Sequence, residues 1–186
     1  MQQLKVSKEK WEKEFSNGRW NCLDANPTER ARSSIIGMYC QLYFPKGTIL
    51  DVGCGLGTLI DFLNPKQKQS YLGIDISARA TALAKRKKIN VKNIDFIKFE
   101  SVHKYDLIIF NEVLYYMDDK LALERAVKLL NKGGKIILSL YRMKKKRYDK
   151  KIFTTAHKLL KTVEAVEISG VVKKQSVTWR VEVLGK

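Results

Sequence analysis

The sequence predicts an α/β fold: a seven-stranded, mostly parallel sheet with helices on both faces, closed by a C-terminal antiparallel hairpin and preceded by a helical cap. Three observations predict it. The apolar run Ile49-Leu50-Asp51-Val52 enters three glycines at alternate positions, Gly53, Gly55 and Gly57, and then a helical pattern. Strand-like and helix-like segments alternate from there, the order that winds a parallel sheet between two helical layers. Near the end, Val177, Trp179, Val181 and Val183 alternate with Thr178, Arg180 and Glu182, the period of a strand with one covered face.

Taken in order, residues 1–47 form a helical cap segment carrying Trp11, Phe15, Trp20, Tyr39, Tyr43 and Phe44, with helices expected over 7–16 and 27–43. Asn26-Pro27 opens the second helix, because proline at the first helical position removes an N–H that has no partner there anyway. The core occupies 48–186. Its strands are expected over 48–53, 70–75, 94–98, 105–110 and 134–141, and its helices over 57–63, 78–88, 119–131 and 149–160. Ser77 is a fitting N-cap for the run of strong helix formers from Ala78 to Lys88. The six residues from Glu100 to Tyr105 are too few for a crossover helix, so one helix is reduced to a turn. Val163 to Val172 supplies the partner of the final strand.

At 186 residues and 45% hydrophobic, the chain has the size of one domain with an adequate core. No apolar stretch approaches the roughly 18 residues of a membrane span, and Met1-Gln2-Gln3-Leu4-Lys5 has no apolar signal core, so a cytoplasmic location is expected. Cys22, Cys40 and Cys54 form no C-x-x-C pair and read as free thiols of a reducing compartment. His103 and His157 lie far apart without metal-binding spacing, so no metal is expected. The net charge of +17 concentrates in Lys85-Arg86-Lys87-Lys88, Arg142 to Arg147, Lys150-Lys151 and Lys173-Lys174. A field of that sign draws anions, whether nucleic acid, phosphorylated metabolites or acidic lipids; a solvated lysine-rich surface accounts for it equally.

The glycine loop points to chemistry. Alternate glycines permit a sharp turn, close approach of a ligand to the backbone, and close helix–strand contact. The spacing is G-x-G-x-G, and Thr58 stands where a dinucleotide-binding loop has its third glycine, so a nucleoside-type ligand fits better than a pyrophosphate. Asp75 ends the second strand 18 positions beyond Gly57, where a carboxylate can accept both hydroxyls of a ribose.

With Asp51 at the first strand's end and Asn111-Glu112-Val113-Leu114-Tyr115-Tyr116 after the fourth, the chain resembles the class I S-adenosylmethionine-dependent methyltransferases, whose fold is Rossmann-like. The second motif is similar to that of small-molecule methyltransferases of the nodulation protein S type, which N-methylate an amino sugar. The likeness covers residues 48–141, including the glycine turn and fifth strand of Leu129-Leu130-Asn131-Lys132-Gly133-Gly134 and beyond. Gly18-Arg19-Trp20 and Glu29-Arg30-Ala31-Arg32 look like the cap segment of the same group.

The resemblance implies S-adenosylmethionine (SAM) as cofactor, with S-adenosylhomocysteine (SAH) as product. Gly53, Cys54, Gly55 and Gly57 would form its loop, Asp51 would face its ammonium group, Asp75 would hold the ribose and Ile76 would cover an adenine face. Either the Glu100 side chain or the Ser101 backbone would take the place of the family's adenine-binding aspartate. Asn111 would flank the methionine half, and Arg32 would pair with its carboxylate. Glu112, Tyr115 and Tyr116 frame the transfer site as the catalytic candidates, Glu112 and Tyr116 being the groups placed to deprotonate a hydroxyl acceptor. The implied reaction moves a methyl group to an N or O nucleophile of a small molecule, a sugar or secondary metabolite, and the basic charge would favour an anionic one. A nucleic-acid methyltransferase is the alternative that the same charge suggests, although N-P-P-Y, D-P-P-Y and cytosine-C5 cysteine motifs are absent.

Overall fold

The structure, a computed structural model, describes residues 6–142, 148–172 and 175–186. Of the basic segments, Arg142 is described, whereas residues 143–147 and Lys173-Lys174 lie outside the described residues.

The cap begins with α1 (Lys8–Ser16), opened by the Ser7 hydroxyl accepting from Lys10 N and ended at Gly18, whose φ is 73°. A short turn over Arg19–Asn21 leads to α2 (Cys22–Ala25) and to α3 (Pro27–Tyr43), which starts where the Asn26 side chain accepts from Thr28 N. The core then runs β1 (Ile49–Val52), a 3₁₀ turn (Thr58–Phe62), α4 (Pro65–Gln69), β2 (Tyr71–Asp75), α5 (Ala78–Lys85) and β3 (Val91–Asn93). After another 3₁₀ turn (Phe96–Lys98) come β4 (Tyr105–Asn111), α6 (Asp119–Leu129), β5 (Leu130–Tyr141), α7 (Tyr148–His157), β6 (Lys161–Val172) and β7 (Gln175–Gly185).

These strands form one seven-stranded sheet in the order β3-β2-β1-β4-β5-β7-β6, parallel except where β7 runs antiparallel to β5 and β6. Val52 stands beside Ile74 on one side and Phe110 on the other, which brings Asp51, Asp75 and Asn111 to the same carboxyl edge. Alternate residues of each strand face opposite layers. Leu50, Ile108, Phe110, Ile136 and Leu138 pack against α6 and α7, whereas Ile49, Leu107, Ile109 and Ile137 pack against Ile36, Tyr39 and Cys40 of α3. No helix among the described residues is long and apolar enough to cross a membrane.

Six expected boundaries are corrected, two of them being the helix expected over 149–160, which ends at His157, and the strand expected over 134–141, which begins at Leu130. The third strand is 91–93 rather than 94–98, because the Asp95 carboxylate accepts from Ile97 N and folds residues 96–98 into a turn. The helix expected over 57–63 is only the turn Thr58–Phe62: Asn64 precedes Pro65 in extended conformation and, with Gln67, forms a capping box that starts α4 afresh. Helix α5 stops at Lys85, and Lys88 adopts a φ of 56°. Helix α6 stops at Leu129, because β5 begins at the next residue. The missing crossover between β3 and β4 is as expected, a turn in place of a helix.

Among the contacts that fix the cap to the core are two groups of ion pairs near the 58–62 turn. Asp24 accepts from Thr58 Oγ1 at 2.6 Å and pairs with Lys87 at 3.0 Å, while Arg30 pairs with Asp61 at 3.1 Å. Such half-exposed pairs contribute little each. The closer contact is between α3 and the 58–62 turn, where a Cβ on Gly37 would lie 2.5 Å from Phe62 Cβ and 2.7 Å from its carbonyl oxygen. Gly37→Ala is therefore expected to destabilise the chain by about 1–3 kcal/mol, through overpacking against backbone that cannot retreat. Urea unfolding checks this: the midpoint falls with an unchanged slope, and an unchanged midpoint would show that the turn yields freely.

Candidate functional site

The loop after β1 is clamped onto β2. Gly53 N and Cys54 N both donate to the Ile74 carbonyl, at 2.8 and 3.0 Å. Gly53 has a φ of 69°, and a Cβ there would sit 2.4 Å from Val113 Cγ2, so only glycine lets the loop meet the end of β4. The Asp75 carboxylate then ties the loop to the start of α5, with Oδ2 accepting from Gly55 N at 3.0 Å and Oδ1 from Ser77 N at 2.8 Å. Burial raises the pKa of Asp75, and the two amides oppose the rise without cancelling it. Asp51 is buried beside it and accepts from Tyr71 Oη at 2.7 Å; burial pushes its carboxyl up to about 7 against the restraint of that hydrogen bond.

A second cluster surrounds the end of β4. Glu112 has a φ of 62°, a left-handed conformation strained for a side chain with a Cβ, and such strain is held in place only by surrounding contacts. Its Oε1 accepts from Ser139 Oγ at 3.1 Å and lies 3.3 Å from Arg32 Nη1, while Oε2 accepts from Tyr141 N at 3.0 Å and lies 3.3 Å from Tyr115 Oη. Burial pushes this carboxyl up to about 7, with the Arg32 charge and the two hydrogen bonds opposing it. Burial and the Glu112 charge drive the Tyr115 hydroxyl far above its usual range, so it stays protonated. Arg32, only 3% exposed, bonds Glu29 at 2.6 Å and stacks 5.4 Å from the Trp179 ring. Its Nε and Nη1, together with Asn111 Oδ1, are buried without a hydrogen-bond partner. Arg32 Nη1 still has its ion pair with Glu112, so the atoms left with no polar partner are Arg32 Nε and Asn111 Oδ1, and two such atoms in one place point to a polar guest.

Both clusters open into one cavity of about 590 Å³. Of the residues singled out from sequence, Asp51, Gly53, Cys54, Gly55, Asp75, Ile76, Asn111, Glu112, Tyr115, Tyr116 and Arg32 all line it. Gly57, Glu100 and Ser101 do not. Gly57 has a packing task instead: its φ is 70°, and a Cβ there would be 2.5 Å from Ile89 Cδ1. Glu100 is exposed, and Ser101 Oγ is engaged with the His103 backbone. At that end the cavity wall is Asp95, Phe96 and Ile97. The five-residue misplacement of the third strand's end, at 98 rather than Asn93, hid them, since Asp95 follows the true strand end by two residues.

The cap roofs the cavity with aromatic rings. Trp11 meets Tyr116 edge-on at 4.8 Å and Trp20 at 5.7 Å, and Trp20 Nε1 donates to the buried Glu14 at 3.1 Å. Trp179 and Val177 of β7 and Tyr141 of β5 close the far wall. Sequence reasoning missed these three, because their period-two pattern told which face was covered and not what covered it. Among the described lining residues stand six carboxylates, Glu29, Asp51, Asp75, Asp95, Glu112 and Asp118, against the single guanidinium of Arg32. In a chain of +17 the interior of the site thus has the opposite sign to the surface. No cluster of three or more His, Cys, Asp or Glu among the described residues is arranged to hold a metal ion.

Comparison with known proteins places this geometry. Residues 30–170 match a family described as a methyltransferase domain. Nodulation protein S of Rhizobium tropici is 29% identical over 124 residues, 62% of this chain and 52% of that protein. Nodulation protein S of Sinorhizobium fredii is 33% identical over 110 residues, 56% of this chain and 50% of that protein. The chain thus spans about half the length of these curated relatives. Among solved structures, the N-methyltransferase NodS from Bradyrhizobium japonicum in complex with SAH superposes with a TM-score of 0.77 at 23% identity, covering 96% of this chain and 98% of that one. Magnesium protoporphyrin IX methyltransferase from Synechocystis with bound SAM gives 0.73 at 16% identity over the full length of both chains. With the family match spanning residues 30–170, most of its length, the chain belongs to the methyltransferase-domain family of class I, SAM-dependent enzymes.

Proposed function

We propose that the chain transfers the methyl group of SAM to an amine of a small molecule. The observation that carries this reading is one continuous cleft that joins the Asp51–Asp75 half to the Glu112–Tyr116 half and carries carboxylates and aromatic rings among aliphatic side chains. The residues fit the cofactor. Asp75, held by Gly55 N and Ser77 N, is the ribose ligand, and Ile76, at the start of the α5 turn, covers the adenine. Asp95 takes the adenine-side position that the sequence suggested for Glu100 or Ser101. Asp51 faces the ammonium group, and Arg32, whose Nε is free although its other nitrogens pair with Glu29 and Glu112, receives the carboxylate end beside Asn111. When bound, SAM supplies a methyl group already activated by its sulfonium charge, which leaves the protein the work of aligning the acceptor.

Asp51, Asp75 and Asp95 suit the cationic donor, and in the other half the Asp118 carboxylate and the rings of Trp11, Trp20 and Tyr116 favour an acceptor that is neutral or cationic. This argues for an amine acceptor and against the anionic one that net charge alone would select. Glu112, whose oxygens meet Ser139, Tyr141, Tyr115 and Arg32, orients Arg32 and Tyr115, and Tyr116 borders the acceptor beneath Trp11. Covered by α1, the site excludes water that would compete for hydrogen bonds with the acceptor.

Isothermal titration calorimetry with SAH tests the donor half. The unsubstituted chain is expected to bind it, and Asp75→Ala to lose at least tenfold in affinity, the worth of a charge-assisted hydrogen bond and more. Binding of NAD in place of SAH would sink the reading. The acceptor half is tested by methyl transfer from labelled SAM to amine and alcohol versions of one sugar, where preference for the alcohol would contradict it.

The pH dependence follows from Asp51. Its folded pKa is raised from the usual 3.8 to about 7, so the stability it contributes is fully present below the unfolded value and lost as pH rises through about 7. Its charged form, the one that attracts an ammonium group, grows over the same window. SAH affinity is therefore expected to rise severalfold between about pH 6 and pH 8 while thermal stability falls, and Asp51→Asn is expected to flatten the affinity trend and to lessen the stability trend, the remainder of which comes from Glu112, whose carboxyl is also pushed up to about 7. An affinity independent of pH in the unsubstituted chain would remove Asp51 from the ammonium site.

A further inference from the structure

The cap helix reaches the cofactor half of the cavity through one carboxylate that sequence reading passed over. Glu12, on α1, accepts from three donors at the start of α5. Its Oε1 takes Ala78 N at 2.6 Å, and its Oε2 takes Arg79 N at 2.9 Å and Ser77 Oγ at 3.0 Å. The first N–H groups of a helix have no partner within the helix, and a carboxylate there is further favoured by the helix dipole. Burial alone would raise the Glu12 pKa, yet these bonds hold it below the usual range.

Ser77 does not end the chain of contacts. It is completely buried, its Oγ also accepts from Ala80 N as the N-cap of α5, and its backbone N donates to Asp75 Oδ1 at 2.8 Å. Asp75 Oδ2 in turn accepts from Gly55 N at 3.0 Å. A continuous run of hydrogen bonds thus connects Glu12, Ser77, Asp75 and the glycine loop. On the adjoining face of α1, Trp11 meets Tyr116 and Phe15 approaches the loop, where a Cβ on Gly55 would be 3.7 Å from Phe15 Cζ. The one helix therefore touches both halves of the cavity, and Glu12 is its polar attachment.

We propose that Glu12 is a positioning residue that fastens α1 across the cofactor site and, through Ser77, fixes the carboxylate of Asp75. The proposal rests on the assignment of this cavity to SAM. Its mechanical consequence is that ligand release requires Glu12 to leave the start of α5, so the strength of this attachment sets how long SAH stays bound. Glu12→Gln replaces one acceptor oxygen with an NH₂ group that faces backbone donors. Glu12→Asp keeps the charge but is one methylene too short to reach all three. Glu9→Gln removes the same charge from an exposed position of the same helix and serves as the control.

Two measurements decide it. In the ligand-free chain, hydrogen exchange over residues 8–20 is expected to speed up in Glu12→Gln and Glu12→Asp but not in Glu9→Gln, with exchange in β1, β4 and β5 unchanged. In stopped-flow displacement followed by tryptophan fluorescence, SAH is expected to leave both Glu12 variants roughly tenfold faster and to leave Glu9→Gln at the unsubstituted rate. Unchanged exchange over 8–20 overturns the attachment. Faster exchange with unchanged SAH release overturns its control of the site. Failure of the unsubstituted chain to bind SAH would instead overturn the cofactor assignment, while the ligand-free exchange still decides the attachment.

Discussion

Two backbone amides share one acceptor at the heart of this molecule. Gly53 N and Cys54 N both bond the Ile74 carbonyl, and this holds the first loop against the second strand in a conformation that requires a left-handed residue at Gly53. The rest of the site depends on that clamp. It places Gly55 N where it can bind Asp75, lets Val113 pack where a side chain at 53 would stand, and brings the ends of β1, β2 and β4 to one edge. Open α/β sheets bind ligands outside the carboxyl ends of their strands because helix starts and free loop amides gather there. Here the same edge also gathers buried carboxylates whose pKa values burial has raised.

The contrast between surface and site organises the chemistry. A chain of +17 would repel a cationic donor if its charge were uniform, yet the lining holds six carboxylates and one guanidinium. Asp51 and Glu112 are both pushed up to about 7, each restrained from going further by specific donors, Tyr71 in one case and Arg32 with Tyr141 and Ser139 in the other. The aromatic cap supplies rings around the same space, held from behind by Glu14 bonding Trp20. Thus the net charge of the chain and the charge of the cavity lining have opposite signs.

Much of this was legible in the sequence where the signal is local. The glycine spacing, Asp75 at a strand end, the Asn26-Pro27 helix start and the alternating C-terminal strand each reflect a constraint within a few residues, and each stands where expected. The misses share a cause as well. The apolar residues Ile94, Phe96 and Ile97 are dense enough to read as a strand, but the Asp95 side chain competes for Ile97 N and makes a turn, which displaced the adenine-side residue to Glu100. Glu12, Glu29, Tyr141 and Trp179 come to the site only through packing between elements far apart in sequence. No spacing rule could have found them, and the left-handed backbone of Glu112 leaves no mark on a non-glycine sequence.

A crystal structure of the chain grown with SAH measures the central claim most directly. The account predicts density along the cavity, with the ribose hydroxyls on Asp75, the adenine between Ile76 and Phe96, the amino group toward Asp51 and the sulfur facing Tyr116. Density with the ribose away from Asp75, or SAH bound outside the cavity lined by Gly53, Asp75 and Tyr116, would contradict it.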